Sequence, residues 1–217
     1  MKLVYDDYIF PTIQGEGSLV GTLSLFIRLH GCDFSCSWCD TPNSWKEGSK
    51  FIELTTEEIM REINRYDISN ITITGGNPIL QGDELLKLMD EIRKKDRHIT
   101  METQGSVFHP VINAVDLLSY SPKIERQNIS DIIEFLSHVS TSEVQIKLVI
   151  SNLDDLNKSM LWIQKMREVK NECVFILQPE YSMGKNFIRN VANTIIDQKI
   201  EGVRLIPQLH KLIYSVK

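Results

Sequence analysis

Seven short apolar runs rich in β-branched residues punctuate this chain, at residues 25–30, 70–74, 98–102, 115–119, 144–150, 173–178 and 202–206. Each has the length of a strand and reads as one covered on both faces. Helical signals lie between several of them. Thr55-Thr56-Glu57-Glu58 is a capping box and predicts a helix to about Arg65. Asp83 leads into Leu85, Met89 and Ile92, an apolar face at helical spacing. Asn152 can cap a helix whose Leu156, Met160 and Ile163 share a side, and Phe187, Val191 and Ile195 mark another over 182–198. The alternation predicts a parallel α/β sheet. The stretch from Glu102 to Val115 is too short for a full crossover helix, so the pattern predicts an incomplete (partial) TIM-type (β/α) barrel rather than a closed one. With 217 residues and no internal repeat, low-complexity tract or linker, a single domain over 1–217 is expected.

Bulk properties narrow the function. Charged residues make up 24% of the chain, the formal charge is −5, and no Lys/Arg block stands out, so a nucleic-acid grip is not expected. No run approaches the roughly 18 apolar residues of a membrane span. Residues 1–7 lack the apolar core of a leader. The expected location is cytoplasmic, where thiols stay reduced.

That expectation bears on the cysteines. Cys32, Cys36 and Cys39 are spaced C-x-x-x-C-x-x-C directly after the 25–30 run. In a reducing compartment so tight a group favours metal over a disulfide. The fourth cysteine, Cys173, lies in an apolar run and reads as a buried core residue. Iron–sulfur clusters are normally held by four thiolates, so three suggest a cluster with one iron left open for chemistry. The rival reading is structural zinc with His30 as fourth ligand. That alternative, a zinc-binding interaction module, predicts a colourless protein. His98, His109 and His138 show no partner pattern and read as surface or helix-end residues.

In sheets of this kind, ligands bind beyond the C-terminal strand ends. Unusual residues follow five of the runs: Cys32, Gly75-Gly76-Asn77-Pro78, Thr103-Gln104-Gly105, Ser121-Pro122-Lys123, and Gln178-Pro179. Together they predict one site on one rim.

These residues resemble the radical S-adenosylmethionine (SAM) superfamily, in which C-x-x-x-C-x-Φ-C, with Φ aromatic and here Trp38, holds a 4Fe–4S cluster. Gly75-Gly76-Asn77-Pro78 resembles the superfamily's Gly-Gly-Glu-Pro, with Asn77 in the Glu place. There the glycines would let backbone approach SAM, and the Asn77 amide could still accept a hydrogen bond. More specific is the set Gln14-Gly15-Glu16-Gly17, Arg28-Leu29-His30-Gly31-Cys32, Cys39-Asp40-Thr41-Pro42 and Arg204-Leu205-Ile206-Pro207-Gln208-Leu209-His210-Lys211. It is similar to the 7-carboxy-7-deazaguanine synthase family, and the similarity runs nearly end to end.

The resemblance implies a lyase of the queuosine (7-deazapurine) pathway, whose product feeds transfer-RNA or DNA modification. Its reaction is ring contraction of 6-carboxy-5,6,7,8-tetrahydropterin to 7-carboxy-7-deazaguanine with loss of ammonia. Cys32, Cys36 and Cys39 would hold the 4Fe–4S cluster. Trp38, Cys39, Asp40, Gly76, Ser121, Pro122, Lys123 and Gln178 would meet SAM. Ile13, Gln14, Gly15, Glu16, Arg28, Thr74 and His210 would meet the pterin, with Arg28 on its carboxylate. Thr41 would be a catalytic ligand to Mg²⁺. Glu102 reads as a structural acceptor outside this set. The resemblance also implies a homodimer and a flavodoxin- or ferredoxin-like reducing partner. An activase of a glycyl radical enzyme would share the cysteine spacing but would not need Gln14, Glu16 and Thr41.

Overall fold

All seven apolar runs become strands, and all seven run parallel. The structure is a computed structural model that describes residues 1–214. The parallel strands are β3 (Leu23–Leu29), β5 (Asn70–Gly75), β6 (His98–Thr103), β7 (Leu117–Tyr120), β8 (Glu143–Ile150), β9 (Val174–Pro179) and β10 (Val203–Leu205). They lie in sequence order across the sheet, as right-handed crossovers produce. Three antiparallel strands follow beyond β3: β1 (Lys2–Val4) and β2 (Ile9–Ile13) pair with it, and β4 (Phe51–Glu53) pairs with β1. The ten-stranded sheet begins at β10 and ends at β4, and these two strands do not pair, so the barrel is open as predicted.

Among the described residues there are six helices: α1 (Thr56–Ile63), α2 (Gly82–Arg93), α3 (Ile129–Ser137), α4 (Leu153–Val169), α5 (Gly184–Asp197) and α6 (Leu209–Tyr214). The Thr55 capping box forms with both of its hydrogen bonds, and Asn152 caps α4 through Asp155 N–H. Helix α1 stops two residues before the predicted end, because Arg65 and Tyr66 N–H turn to carbonyls three residues back. Likewise α5 starts at Gly184 rather than at 182, since a 3₁₀ turn over Tyr181–Met183 precedes it and Gly184 has φ +78°. Only a 3₁₀ turn, Pro110–Ala114, bridges β6 to β7, which is the short connection that excluded a crossover helix. Strand β7 starts at Leu117 rather than 115, with Val115 ending that turn and the Asp116 carboxylate accepting from Ile99 N–H at 2.7 Å.

Side-chain alternation divides the sheet into two layers. Outward positions are apolar and meet the helices: Leu25, Ile27, Ile71, Ile73, Ile146 and Leu148 are fully buried in one core with Leu85, Leu88 and Met89 of α2. Inward positions are mostly polar, with Phe26 and Val149 among the exceptions. Ser24 and Thr72 share a 2.8 Å hydroxyl contact, and Gln145 Nε2 donates to Ser119 Oγ at 2.8 Å. The strands are therefore covered on both faces, but the inner cover is a hydrogen-bonded lining.

The loop from β2 to β3 enters that interior. It leaves the N-terminal end of β3, opposite the cysteine loop, and reaches β8, where Ser18 N–H and hydroxyl both donate to Gln145 Oε1 at 2.6 Å. Gly17 has φ +74°, and a Cβ there would lie 2.3 Å from the Gln145 amide, so only glycine allows this approach.

Candidate active site

Beyond β3 the chain turns at Gly31, φ +107°, into the cysteine loop. Gly31 N–H donates to Ser44 O at 2.7 Å and closes the loop at its base. Arg126 Nη2 donates to Ser35 O at 2.9 Å and pins its crest. All four cysteines are free thiols. Cys32 Sγ accepts from Phe34 N–H at 3.4 Å and Gln104 Nε2 at 3.5 Å, and Cys39 Sγ accepts from Trp45 Nε1 at 3.2 Å. Burial pushes the Cys32 and Cys36 thiols up from their ordinary value. Cys173 is buried and pushed up to about 12 by the same cause, an inert core thiol as expected.

The cysteine loop forms one wall of a cavity of about 540 Å³, a size ordinary for a cofactor site. Of the eighteen expected site residues, seventeen line it: Ile13, Gln14, Gly15, Glu16, Arg28, Cys32, Cys36, Trp38, Cys39, Asp40, Thr41, Thr74, Gly76, Ser121, Lys123, Gln178 and His210. Pro122 does not; it is buried behind the loop that carries Ser121 and Lys123. His30 also stays outside, its Nε2 2.9 Å from Ser49 Oγ.

Glu16 is the most heavily engaged side chain of the cavity. Its Oε1 accepts from Gln178 Nε2 at 3.0 Å and Gln208 Nε2 at 2.8 Å, while Oε2 pairs with the buried Lys147 ammonium. Burial pushes the Glu16 carboxyl up, but Lys147 outweighs it and the net shift is downward. Burial likewise pulls Lys147 down, and Glu16 with Glu102 outweighs it, so Lys147 stays charged. Lys123 moves the other way: burial, then repulsion from Lys147, lowers it. Its ammonium lies 5.0 Å from the Trp38 ring centroid and donates to Ser121 Oγ at 3.1 Å.

Glu102 belongs to the cavity, contrary to its reading as a structural acceptor only. Its two oxygens accept from Gln14 Nε2 at 3.2 Å and Thr74 Oγ1 at 2.8 Å. Arg28 is the register neighbour of Thr74, with its guanidinium 4.9 Å from the Phe10 ring centroid. Arg28 Nε is buried and has no partner among the described residues, as is Gln178 Oε1. Both residues line the cavity, and buried polar atoms without a protein partner are ones a ligand can satisfy.

At the mouth, Asp40 accepts from Thr41 Oγ1 at 3.1 Å and lies 3.4 Å from His210 Nε2. Burial raises the Asp40 carboxyl, but His210, Lys211 and Thr41 hold it well below the carboxylate range. Glu16, Asp40 and His210 are the one group of three candidate ligand atoms within 4.8 Å of one another among the described residues. The three cysteine sulfurs do not all lie within that distance of one another. His30, the fourth ligand of the zinc reading, is turned to Ser49 and lies outside the cavity.

Asn77 departs from expectation. It is 1% exposed and lies behind the cavity wall. Its Nδ2 donates to Asp33 Oδ1 at 3.0 Å and Ser106 Oγ at 2.8 Å, and its Oδ1 accepts from Thr103 Oγ1 at 2.8 Å. It clamps the cysteine loop to β6 rather than accepting from a ligand. The glycine pair does similar work: Gly76 N–H donates to Leu29 O at 2.9 Å and Asn77 N–H to Gly31 O at 2.7 Å. Lys147 was not foreseen, and Gln104 and Gln208, though named on the rim loop and in the C-terminal motif, were given no role. Polar residues at alternate positions of an otherwise apolar strand, Gln145 and Lys147, were the available signal for the first.

Comparison with known proteins agrees with this geometry. The radical SAM superfamily model matches residues 26–130. The 7-carboxy-7-deazaguanine synthase of Bacillus subtilis (strain 168) is 33% identical, with 95% of this chain and 94% of that protein covered. The same enzyme of Clostridium acetobutylicum is 30% identical over 95% of this chain and 94% of its own. The crystal structure of QueE from Escherichia coli superposes with a TM-score of 0.76 at 26% identity, covering 97% of this chain and 95% of that one. By identity sustained over almost its whole length, the chain belongs to the 7-carboxy-7-deazaguanine synthase family of the radical SAM superfamily.

Proposed function

We infer that this chain contracts 6-carboxy-5,6,7,8-tetrahydropterin to 7-carboxy-7-deazaguanine, releasing ammonia. The carrying observation is that one cavity joins the three-cysteine loop to Glu16, Arg28, Thr74 and the Asp40–Thr41 pair. Cys32, Cys36 and Cys39 would hold a 4Fe–4S cluster, which with SAM supplies reductive cleavage of the sulfonium and a hydrogen-abstracting radical.

The protein's residues position the reactants and exclude water. Arg28 lines the cavity and offers a planar fork for the substrate carboxylate, its buried Nε having no partner among the described residues. Ionised Glu16, fixed by Lys147, accepts from the amino-pyrimidinone edge, with Gln178 and Gln208 yielding donors as the substrate arrives. Ile13, Gln14 and Gly15 form the adjoining wall, and Thr74 with Glu102 the floor. Trp38 with Lys123 borders the SAM side, together with Gly76 and Ser121. The Asp40 carboxylate and Thr41 hydroxyl would share a Mg²⁺ with substrate oxygens, since a hard cation takes oxygen ligands and keeps waters. His210 stands over Gly15 and closes the mouth. The exposed edge of the cysteine loop, Asp33, Ser35 and Ser37, is where a flavodoxin- or ferredoxin-like reductant would approach.

Anaerobic turnover with SAM, Mg²⁺, dithionite and 6-carboxytetrahydropterin tests this reading. The expected product is the deazaguanine; its absence from a fully reconstituted chain overturns the substrate assignment. Cys36→Ala is expected to abolish SAM cleavage. Thr41→Ala is expected to slow turnover and weaken its Mg²⁺ dependence while leaving SAM binding unchanged.

A further inference from the structure

The chain places an indole N–H on one of the three site cysteines. Trp45 ends the short 3₁₀ turn Pro42–Ser44 that follows Cys39, Asp40 and Thr41. That turn is fixed at both sides: Trp45 N–H donates to Pro42 O at 3.2 Å, and Ser44 O accepts from Gly31 N–H at 2.7 Å. Ser44 is fully buried beneath it, its hydroxyl donating to Thr41 O at 2.7 Å. The half-buried indole is thus held back over the cysteine loop, and its Nε1 reaches Cys39 Sγ at 3.2 Å. Indole nitrogen is a donor only, and a carbonyl or water would be its ordinary partner. A sulfur acceptor here is a product of the loop's closure. The three cysteines are supplied unequally: Cys32 receives a longer contact from Gln104 Nε2 at 3.5 Å, an amide shared with Asp33, and no side chain donates to Cys36 among the described residues.

We propose that Trp45 is a tuning residue of the cluster site, its indole N–H hydrogen-bonding the Cys39 thiolate and raising the cluster's reduction potential. The proposal rests on the cluster reading given under Proposed function. Its physical basis is general. A donor to a cysteine sulfur stabilises the more electron-rich state, so hydrogen bonds to the sulfurs move a cluster's potential upward. The bond strengthens when the acceptor carries charge, as a metal-bound thiolate does.

The test uses the anaerobically reconstituted chain, reduced by dithionite, with an electrode-poised redox titration followed by electron paramagnetic resonance. Wild type carrying ¹⁵N-indole tryptophan is expected to show nitrogen and exchangeable-proton couplings to the reduced cluster by electron–nuclear double resonance. Both are lost in W45F, whose midpoint potential is expected to fall with iron content unchanged at about four per chain. Absence of the indole coupling from loaded wild type overturns the proposal, whether or not W45F loads. So does an unchanged midpoint in loaded W45F. A wild-type chain that binds no iron and sulfide overturns the cluster reading instead.

Discussion

The pair Glu16 and Lys147 joins a loop residue to the middle of β8 inside the barrel, and its two side chains are 13% and 8% exposed. Lys147 gives Glu16 its charge, and Glu16 with Glu102 keeps Lys147 charged, so neither is tolerated alone. Removing one member of a buried pair costs roughly 3–5 kcal/mol, whereas replacing both by neutral groups costs far less. Lys147→Met is therefore expected to lower unfolding free energy by about that amount at pH 7, and Glu16→Gln with Lys147→Met to recover most of it without recovering pterin turnover. The pH dependence follows from the shifts. Glu16 has a folded value below its ordinary 4.5, so its contribution is complete above pH 4.5 and is lost as pH falls through the folded value. Lys147 is raised above 10.5, so its contribution is complete below pH 10.5 and is lost as pH rises through its folded value. Without Lys147 the burial that raises the Glu16 carboxyl is unopposed, so the gap between wild type and Lys147→Met is widest in the neutral range and narrows on the acid side. Urea unfolding of the three proteins from pH 3 to 8 measures it; a gap that widens towards acid refutes the assignment of the charge.

At the scale of elements, strand ends decide where the cysteine loop sits. Gly75 has φ +125°, and a Cβ on Gly76 would lie 2.0 Å from Gly31 O, which is backbone and cannot rotate away. The glycines therefore lock the end of β5 against the end of β3, with the Gly76 and Asn77 N–H groups consumed in that contact. Gly76→Ala is expected to force the two strand ends apart and lower iron loading several-fold. Its far-UV circular dichroism should stay that of wild type, because the core strands below are untouched. Equal loading and turnover in the alanine variant refutes this account. The same elements show what was legible. Gly-Gly-x-Pro after a strand put its glycines on the cavity rim, since that position follows from alternation alone. Its role did not, because the close partner, Gly31, lies some forty-five residues away and local patterns carry no register between strands. For the same reason β1, β2, β4 and α3 went unforeseen. Three of these are short strands that exist by pairing with β3 or one another, and α3 carries its Asn128–Asp131 cap inside a polar loop.

Over the whole molecule, the two halves of the site come from opposite ends of the chain. The β2–β3 loop supplies Gln14 to Glu16, and the segment after β10 supplies Gln208 and His210. Leu209 N–H donates to Gly15 O at 2.9 Å, and the Tyr214 phenol oxygen lies 3.3 Å from Thr12 Oγ1 and accepts from Ile13 N–H at 3.4 Å. A Cβ on Gly15 would meet the His210 ring at 2.3 Å, so the glycine makes room for the histidine. Helix α6 has six residues, too few to be stable without a partner. It persists only by docking on the loop, and the contact lies at Gly15 and His210, which the proposed function assigns to the pterin side of the cavity. Opening this contact should thus affect one ligand and spare the other. His210→Ala with Tyr214→Phe is expected to raise KM for the pterin by about tenfold, equivalent to about 1.4 kcal/mol, with SAM affinity and iron content unchanged. Amide exchange at 209–214 should become fast in the variant, since the protecting contact is tertiary and not intrinsic to so short a helix. Hydrogen-exchange mass spectrometry and initial-rate kinetics on the same preparation separate the outcomes. Fast exchange with unaltered KM would mean that the segment docks without closing the site, and equal losses of pterin and SAM binding would mean that it supports the whole rim.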